Sequence, residues 1–179
     1  MNLELIRLNL DCKDRKYFEQ INNEAFPLSE RMSMNEIFSF ASNTATDVLG
    51  IYDFDIPVGF AVLLKNEQCG YVYFIAIDKN KRSKGYGRAA MNKILEVYSQ
   101  LQIVLDFEEI DENAENYIQR IRRKNFYLRN GFHETGNYTL LSEDRFEVVC
   151  SSGKLRKEAF KDLLNVIHKF RPEFPNVLI

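Results

Sequence analysis

The chain has 179 residues, 45% of them hydrophobic and 28% charged, with a formal net charge of −2. This length suits one domain with a core of ordinary size, and the near-neutral balance excludes a general electrostatic attraction to nucleic acid. Cys12, Cys69 and Cys150 are odd in number and far apart, and His133 and His168 stand alone, which argues against a disulfide framework and a structural metal.

The first residues lack the apolar core of a secretory signal. No apolar run approaches the roughly 20 residues of a membrane span. A cytoplasmic protein with reduced thiols and no membrane partner is expected.

Leu3 to Leu8 alternates apolar and polar residues and reads as a strand. Asp14 to Phe26 carries Tyr17, Phe18, Ile21 and Ala25 at helical spacing, and Pro27 ends it. Ser33 with Glu36 resembles a capping box for a second helix reaching Ala41. Val48–Tyr52 and Pro57–Leu64 read as strands joined by a hairpin turn at 53–56. Tyr71–Ile77 is apolar on both faces, as a central strand covered on each side would be. A helix over 86–101 would bury Ala90, Ile94, Val97 and Leu101, and Ile103–Phe107 reads as another buried strand. An acidic loop, 108–112, precedes a basic helix over 113–130 that Gly131 would close. Phe132–Leu141 and Arg145–Val149 read as two strands joined by a polar turn. Lys154–Phe170 is an amphipathic helix bearing Leu155, Ala159, Leu163 and Ile167, and Pro172 and Pro175 mark a loose tail. This order predicts an α+β class of α/β fold: a mixed, mostly antiparallel sheet of about six to seven strands, flanked by helices. It would form a single domain over 1–179, with 154–179 its C-terminal helix and tail.

Between the apolar strand 71–77 and the helix that follows lies Arg82-Ser83-Lys84-Gly85-Tyr86-Gly87. A strand, a basic glycine-containing loop and a helix start together make an anion cradle. Glycine lets backbone N–H groups approach a phosphate, and the helix start adds unpaired donors and a positive dipole end. Arg82, Lys84 and Arg88 add formal charge, so the segment suits a pyrophosphate. It matches neither the Walker loop nor the dinucleotide fingerprint.

The order of elements and two motifs resemble the GNAT superfamily of N-acetyltransferases. Arg82 to Gly87 matches that family's [R/Q]-x-x-G-x-[G/A] signature, with Ala76-Ile77-Asp78 before it where relatives commonly have A-V-[DH]. Some 40 residues on, Phe126-Tyr127-Leu128-Arg129-Asn130-Gly131-Phe132 resembles F-Y-x-x-x-G-F. The resemblance covers about residues 1–150. Phe126 and Phe132 read as core residues, and Gly131 as a helix cap.

The resemblance implies acetyl transfer from acetyl-CoA, as cosubstrate and without a metal, to a primary amine of a small molecule or peptide. Backbone N–H groups of Arg82, Ser83, Lys84, Gly85, Tyr86 and Gly87, with Arg88 beside them, would hold the pyrophosphate. The backbone of Ile75, Ala76 and Ile77 would pair with the pantetheine arm, and an N–H near Ile77 would polarise the thioester. Tyr127 would protonate the departing thiolate or donate a hydrogen bond to it. Relatives often carry a basic glutamate on the fourth strand, where Tyr73 and Phe74 stand here. Asp106 and Glu108 alternate at the end of the fifth strand, and Glu108 or a water-mediated route is expected to take the amine's proton. Arg120 occupies the place of an asparagine that often meets the CoA arm.

The missing glutamate leaves open a non-catalytic acyl-CoA sensor, and a binder of another nucleotide phosphate forms a third class. A monomer or homodimer is expected, and the acceptor's identity is not legible.

Overall fold

The computed structural model describes every residue except 29, 142, 143 and 173–175. Its elements run β1 (Leu3–Arg7), α1 (Arg15–Ala25), α2 (Met34–Asn43), β2 (Thr46–Asp53), β3 (Ile56–Lys65), β4 (Cys69–Ile77), a 3-10 turn (Lys79–Lys81), α3 (Tyr86–Val97), β5 (Gln102–Glu108), α4 (Tyr117–Arg129), β6 (His133–Leu141), β7 (Asp144–Cys150), α5 (Lys157–Phe170) and β8 (Asn176–Leu178). The chain divides into two compact units, Met1–Leu64 with Val72–Tyr98, and Lys65–Tyr71 with Ser99–Ile179. β4 gives its first three residues to the second unit and the rest to the first.

In the first unit the strands lie in the order β1-β2-β3-β4. β1 and β2 are antiparallel, with Leu3 opposite Asp53 and Arg7 opposite Leu49. β2 and β3 form the expected hairpin, with Thr46 opposite Leu64 and a register shift at Ile51/Tyr52. Alternation along the strands separates two apolar layers. Ile51 and Val58 pack with Ala90 of α3, joined by Leu3, Leu5, Ile77 and Tyr86. In the other layer Phe18 of α1 meets Tyr52 and Phe60 edge-on, and Phe26 meets Phe60 and Phe74. The capping box of α2 is formed: Glu36 N–H donates to Ser33 Oγ at 3.3 Å, and Ser33 N–H donates to Glu36 Oε2 at 2.7 Å.

α3 ends at Val97 rather than at residue 101. Val97 is exposed, and the expected buried position passes to Tyr98, whose hydroxyl donates to Asp47 at 2.7 Å. The aromatic ring with a buried acceptor for its hydroxyl wins the seat that a valine was expected to fill. Gly59 of β3 lies so near β4 that a Cβ there would overlap the Ala76 carbonyl oxygen.

In the second unit the start of β4 pairs in parallel with β5, Cys69 opposite Gln102 and Tyr71 opposite Val104. β5 pairs antiparallel with β7, β7 with β6, and β6 with β8. β8 corrects the expectation of a loose tail: Leu140 lies opposite Val177, and Tyr138 and Ile179 exchange two backbone hydrogen bonds. With β8 the strands number eight among the described residues, one more than expected. Residue 175, expected in that tail, and residues 142 and 143 of the expected polar turn lie outside the described residues. α4 begins at Tyr117, not 113, because Asp111 holds a local turn. Its side chain accepts from Asn113 N–H at 2.9 Å and its carbonyl from Ala114 N–H at 3.1 Å. α5 begins at Lys157 and buries Phe160, Leu163, Leu164 and Ile167, while Leu155 is buried ahead of it and Ala159 is only half-buried. Phe160 packs edge-on against Tyr71.

Candidate active site

The basic loop belongs to the first unit. Asp78, at the end of β4, is buried and ties the loop's start to α1. Tyr17 O–H donates to its Oδ2, and Asn80 N–H donates to Oδ1 at 2.9 Å. Burial opposes ionisation of this carboxyl, but these hydrogen bonds and nearby Lys81 outweigh it and hold Asp78 below the ordinary carboxylate range. Asp78 N–H in turn donates to the Val58 carbonyl at 2.9 Å. Tyr86 O–H donates to Asp53 at 2.8 Å, which fixes the loop's far end to β2.

Between these anchors the backbone turns twice into the left-handed region, at Ser83 (φ 61°) and Gly85 (φ 86°). Gly85 is the N-cap of α3 and offers no side-chain cap, so the first-turn amides of Tyr86, Gly87 and Arg88 have no intrahelical acceptor. Alternate left-handed turns running into an uncapped helix aim successive N–H groups at one concavity, which is how backbone holds phosphate. Arg82, Ser83, Lys84 and Arg88 are exposed. Arg82 Nε donates to the Ile77 carbonyl at 3.1 Å and Lys84 Nζ to the Asn80 carbonyl at 3.3 Å, and among the described residues no carboxylate pairs with either. Ile75 and Ile77 are half-buried in the second half of β4, and Ala76 between them is buried.

Tyr127 belongs to the second unit, in the last turn of α4, and is 9% exposed. Its ring stacks on Phe107 of β5, centroids 5.5 Å apart at 16°, and meets Phe126 and Phe132 edge-on. The F-Y-x-x-x-G-F spacing is thereby explained. Gly131, at φ 87°, reverses the chain after α4, and Phe132 returns against Tyr127, its N–H donating to the Tyr127 carbonyl at 3.2 Å. Burial pushes the tyrosine up to about 12, with Arg123 acting against the rise and Asp106 adding to it. Among the described residues none hydrogen-bonds its hydroxyl.

Glu108 lies at the end of β5 and accepts from three side chains. Its Oε2 receives Arg123, and its Oε1 receives Asn116 Nδ2 at 2.9 Å and the Arg120 guanidinium at 3.5 Å. Arg120 also donates to the Glu109 carbonyl at 2.7 Å and to Asn116 at 2.8 Å. Two guanidiniums and an amide thus take three of this carboxylate's roughly four lone-pair positions. The second unit thus links Glu108 to Tyr127 through Arg123, one turn before the tyrosine on α4. Sequence reading did not find the neighbours of Asp106: Tyr71 O–H donates to its Oδ1 at 2.8 Å, and Thr139 O–H donates to its Oδ2. No short-range pattern links positions 71, 106 and 139. Among the described residues no group of three or more His, Cys, Asp or Glu is placed to hold a metal. Nor is any helix long and apolar enough to cross a membrane.

No curated protein matches the sequence at a significant level. Among solved structures, a GNAT-family protein from Bacteroides thetaiotaomicron shares 21% identity over 97% of this chain and 99% of its own, at a TM-score of 0.75. An aminoglycoside 6'-N-acetyltransferase complexed with coenzyme A shares 14% over 84% of this chain and 96% of its own, at 0.61. The ribosomal-protein-S18-alanine N-acetyltransferase of Escherichia coli shares 18% over 86% and 96%, at 0.58. At such identities the likeness establishes the fold. The family model "Acetyltransferase (GNAT) family" matches residues 15–132, well over half the chain and including both the basic loop and the Phe126–Phe132 segment. The chain belongs to the GNAT acetyltransferase family.

Proposed function

We propose that this protein is an acetyl-CoA-dependent N-acetyltransferase acting on a primary amine of a small molecule or peptide in the cytoplasm, as a monomer or homodimer. The observation that carries the reading is the loop 82–88, with left-handed turns at Ser83 and Gly85 running into the uncapped start of α3. The family match runs across residues of both compact units, which supports reading 1–179 as one acetyltransferase domain. Proteins of this fold include enzymes named for aminoglycoside, ribosomal-protein alanine and spermidine acetylation, all of them amine acceptors.

In this reading the amides of Arg82 to Gly87 hold the pyrophosphate, and Arg82, Lys84 and Arg88 neutralise it. The backbone groups of Ile75, Ala76 and Ile77 pair with the pantetheine arm, and an N–H near Ile77 stabilises the oxyanion. The neutral amine attacks the thioester carbonyl, the C–N bond forms and the C–S bond breaks. Tyr127 donates a hydrogen bond to the departing thiolate. Glu108, engaged by Arg120, Arg123 and Asn116, holds these arginines in place rather than taking the amine's proton.

Purified protein incubated with acetyl-CoA and a panel of spermidine, kanamycin and an alanine-initiated peptide tests the reading through thiol release. Thiol release that requires one amine, with that amine acetylated, is the expected result. Tight CoA binding with transfer to no amine would favour an acyl-CoA sensor. Stabilisation by ATP or NAD but not by CoA would overturn the reading altogether.

A further inference from the structure

The second unit contains a strand carboxylate held by two hydroxyl groups. Asp106, in the middle of β5, is half-buried. Its two oxygens accept from neutral hydroxyls, Tyr71 O–H at 2.8 Å and Thr139 O–H. Among the described residues no lysine or arginine pairs with it. Glu108 has Arg120 and Arg123, Glu109 has Arg145, and Glu134 and Glu147 share Lys124.

A buried carboxylate without a counter-charge is costly to keep, and an amide or aliphatic side chain would fill the same space more cheaply. The two hydroxyls and its own backbone N–H take three of a carboxylate's roughly four lone-pair positions, so one remains for an incoming N–H group. Burial raises the proton affinity of Asp106, against the two hydroxyls and its own backbone N–H, which lower it. Its charge also reaches the Tyr127 hydroxyl, which places the two groups in one electrostatic neighbourhood within this unit.

An amine acceptor arrives as an ammonium ion and must become neutral before it can attack. It would bring the positive charge that Asp106 lacks. Resting on the acetyltransferase reading above, we propose that Asp106 is the catalytic residue that binds the acceptor's ammonium group and takes its proton. R–NH3+ gives one proton to Asp106, and R–NH2 forms the C–N bond. The second N–H proton passes to solvent as the thiolate departs with the C–S electron pair, hydrogen-bonded by Tyr127. Asp106 then returns its proton to solvent.

The test is the pH profile of kcat/KM for whichever panel amine the wild-type protein turns over fastest, compared in Asp106→Asn. Tyr71 from β4 and Thr139 from β6 hydrogen-bond Asp106, apolar Val148 lies opposite on β7, and the Tyr127 hydroxyl of α4 lies within range of its charge. Asp106→Asn, with unchanged CoA affinity, should lose about 100-fold or more at pH 7. That deficit should shrink as the pH approaches the amine's own pKa of about 10.4, where free amine is already neutral. Activity within twofold of wild type, or a deficit that is the same at every pH, would overturn the proposal while leaving the acetyltransferase reading intact. No wild-type transfer to any amine would overturn both. Thr139→Val gives a second route should the asparagine variant not fold. Removing a donor that lowers Asp106 should move the acidic limb of the profile to higher pH, and an unmoved limb would count against the proposal.

Discussion

Tyr127→Phe separates two roles that a tyrosine could play at a departing thiolate. Burial raises the hydroxyl to about 12, whereas a thiol of the CoA type has a pKa of about 8.5. Complete proton transfer from tyrosine to thiolate is therefore uphill by about 3.5 units, or roughly 5 kcal/mol. The thiolate already leaves readily, so a hydrogen bond from an intact O–H is the cheaper contribution. A hydrogen bond to a charged partner contributes about 1.5–3 kcal/mol, which converts to a loss of roughly ten- to a hundredfold in kcat. The stacking on Phe107 and the edge contacts with Phe126 and Phe132 involve the ring, which phenylalanine retains. KM for acetyl-CoA should thus move by less than about threefold, since the interaction forms only as the C–S bond breaks. Thiol release under saturating acetyl-CoA measures both parameters. Unchanged kcat would remove Tyr127 from the reaction. A loss beyond about 10⁴-fold would show that full proton donation is obligatory and that the free-energy argument fails.

Gly85→Val tests the loop. A β-branched residue at φ 86° is strained by at least about 1–2 kcal/mol, so the dissociation constant for CoA, measured by calorimetry, should rise roughly tenfold or more. Gly59→Ala places a Cβ against the Ala76 carbonyl; overpacking of about 1–3 kcal/mol should lower Tm by several degrees in a thermal melt. Glu108→Gln leaves Arg120 and Arg123 without their carboxylate, at a solvent-screened cost of about 0.2–1 kcal/mol. Its kcat should fall by less than about tenfold, far less than for Asp106→Asn. The raised proton affinity of Asp106 has a stability counterpart. The folded state holds its proton to higher pH than the unfolded chain, so this group's contribution falls as pH rises from about 3.9 through the folded value. Asp106→Asn should accordingly melt no lower than wild type at pH 7, and a marked loss of Tm there would contradict an uncompensated carboxylate.

The parts of the site that could be read in the sequence are those built from neighbouring residues. Arg82 to Gly87 and Phe126 to Phe132 are short segments whose spacing follows from a helix start and a helix end, so their patterns survive without tertiary context. The Ser33/Glu36 cap was legible for the same reason. What could not be read depends on partners distant in the chain. Glu108 looks like a free acid until α4 folds Arg120 and Arg123 onto it, and Asp106 looks like one more charge beside an acidic loop until Tyr71 and Thr139 close around it. Tyr98 displaced Val97 from the buried face because Asp47, from β2, waited for its hydroxyl. β8 is not legible in the sequence because its three residues follow a proline-bearing segment and pair with β6.

The proposed reaction moves an acetyl group from acetyl-CoA to an amine. Mass spectrometry of the amine panel after incubation with acetyl-CoA and the purified protein, with free thiol counted in the same sample, tests it most directly. One acetyl group gained by one panel amine for each thiol released is the expected result, with both signals reduced in Gly85→Val. Acetyl-CoA left intact beside every amine, or thiol release with no acetylated product, would contradict it.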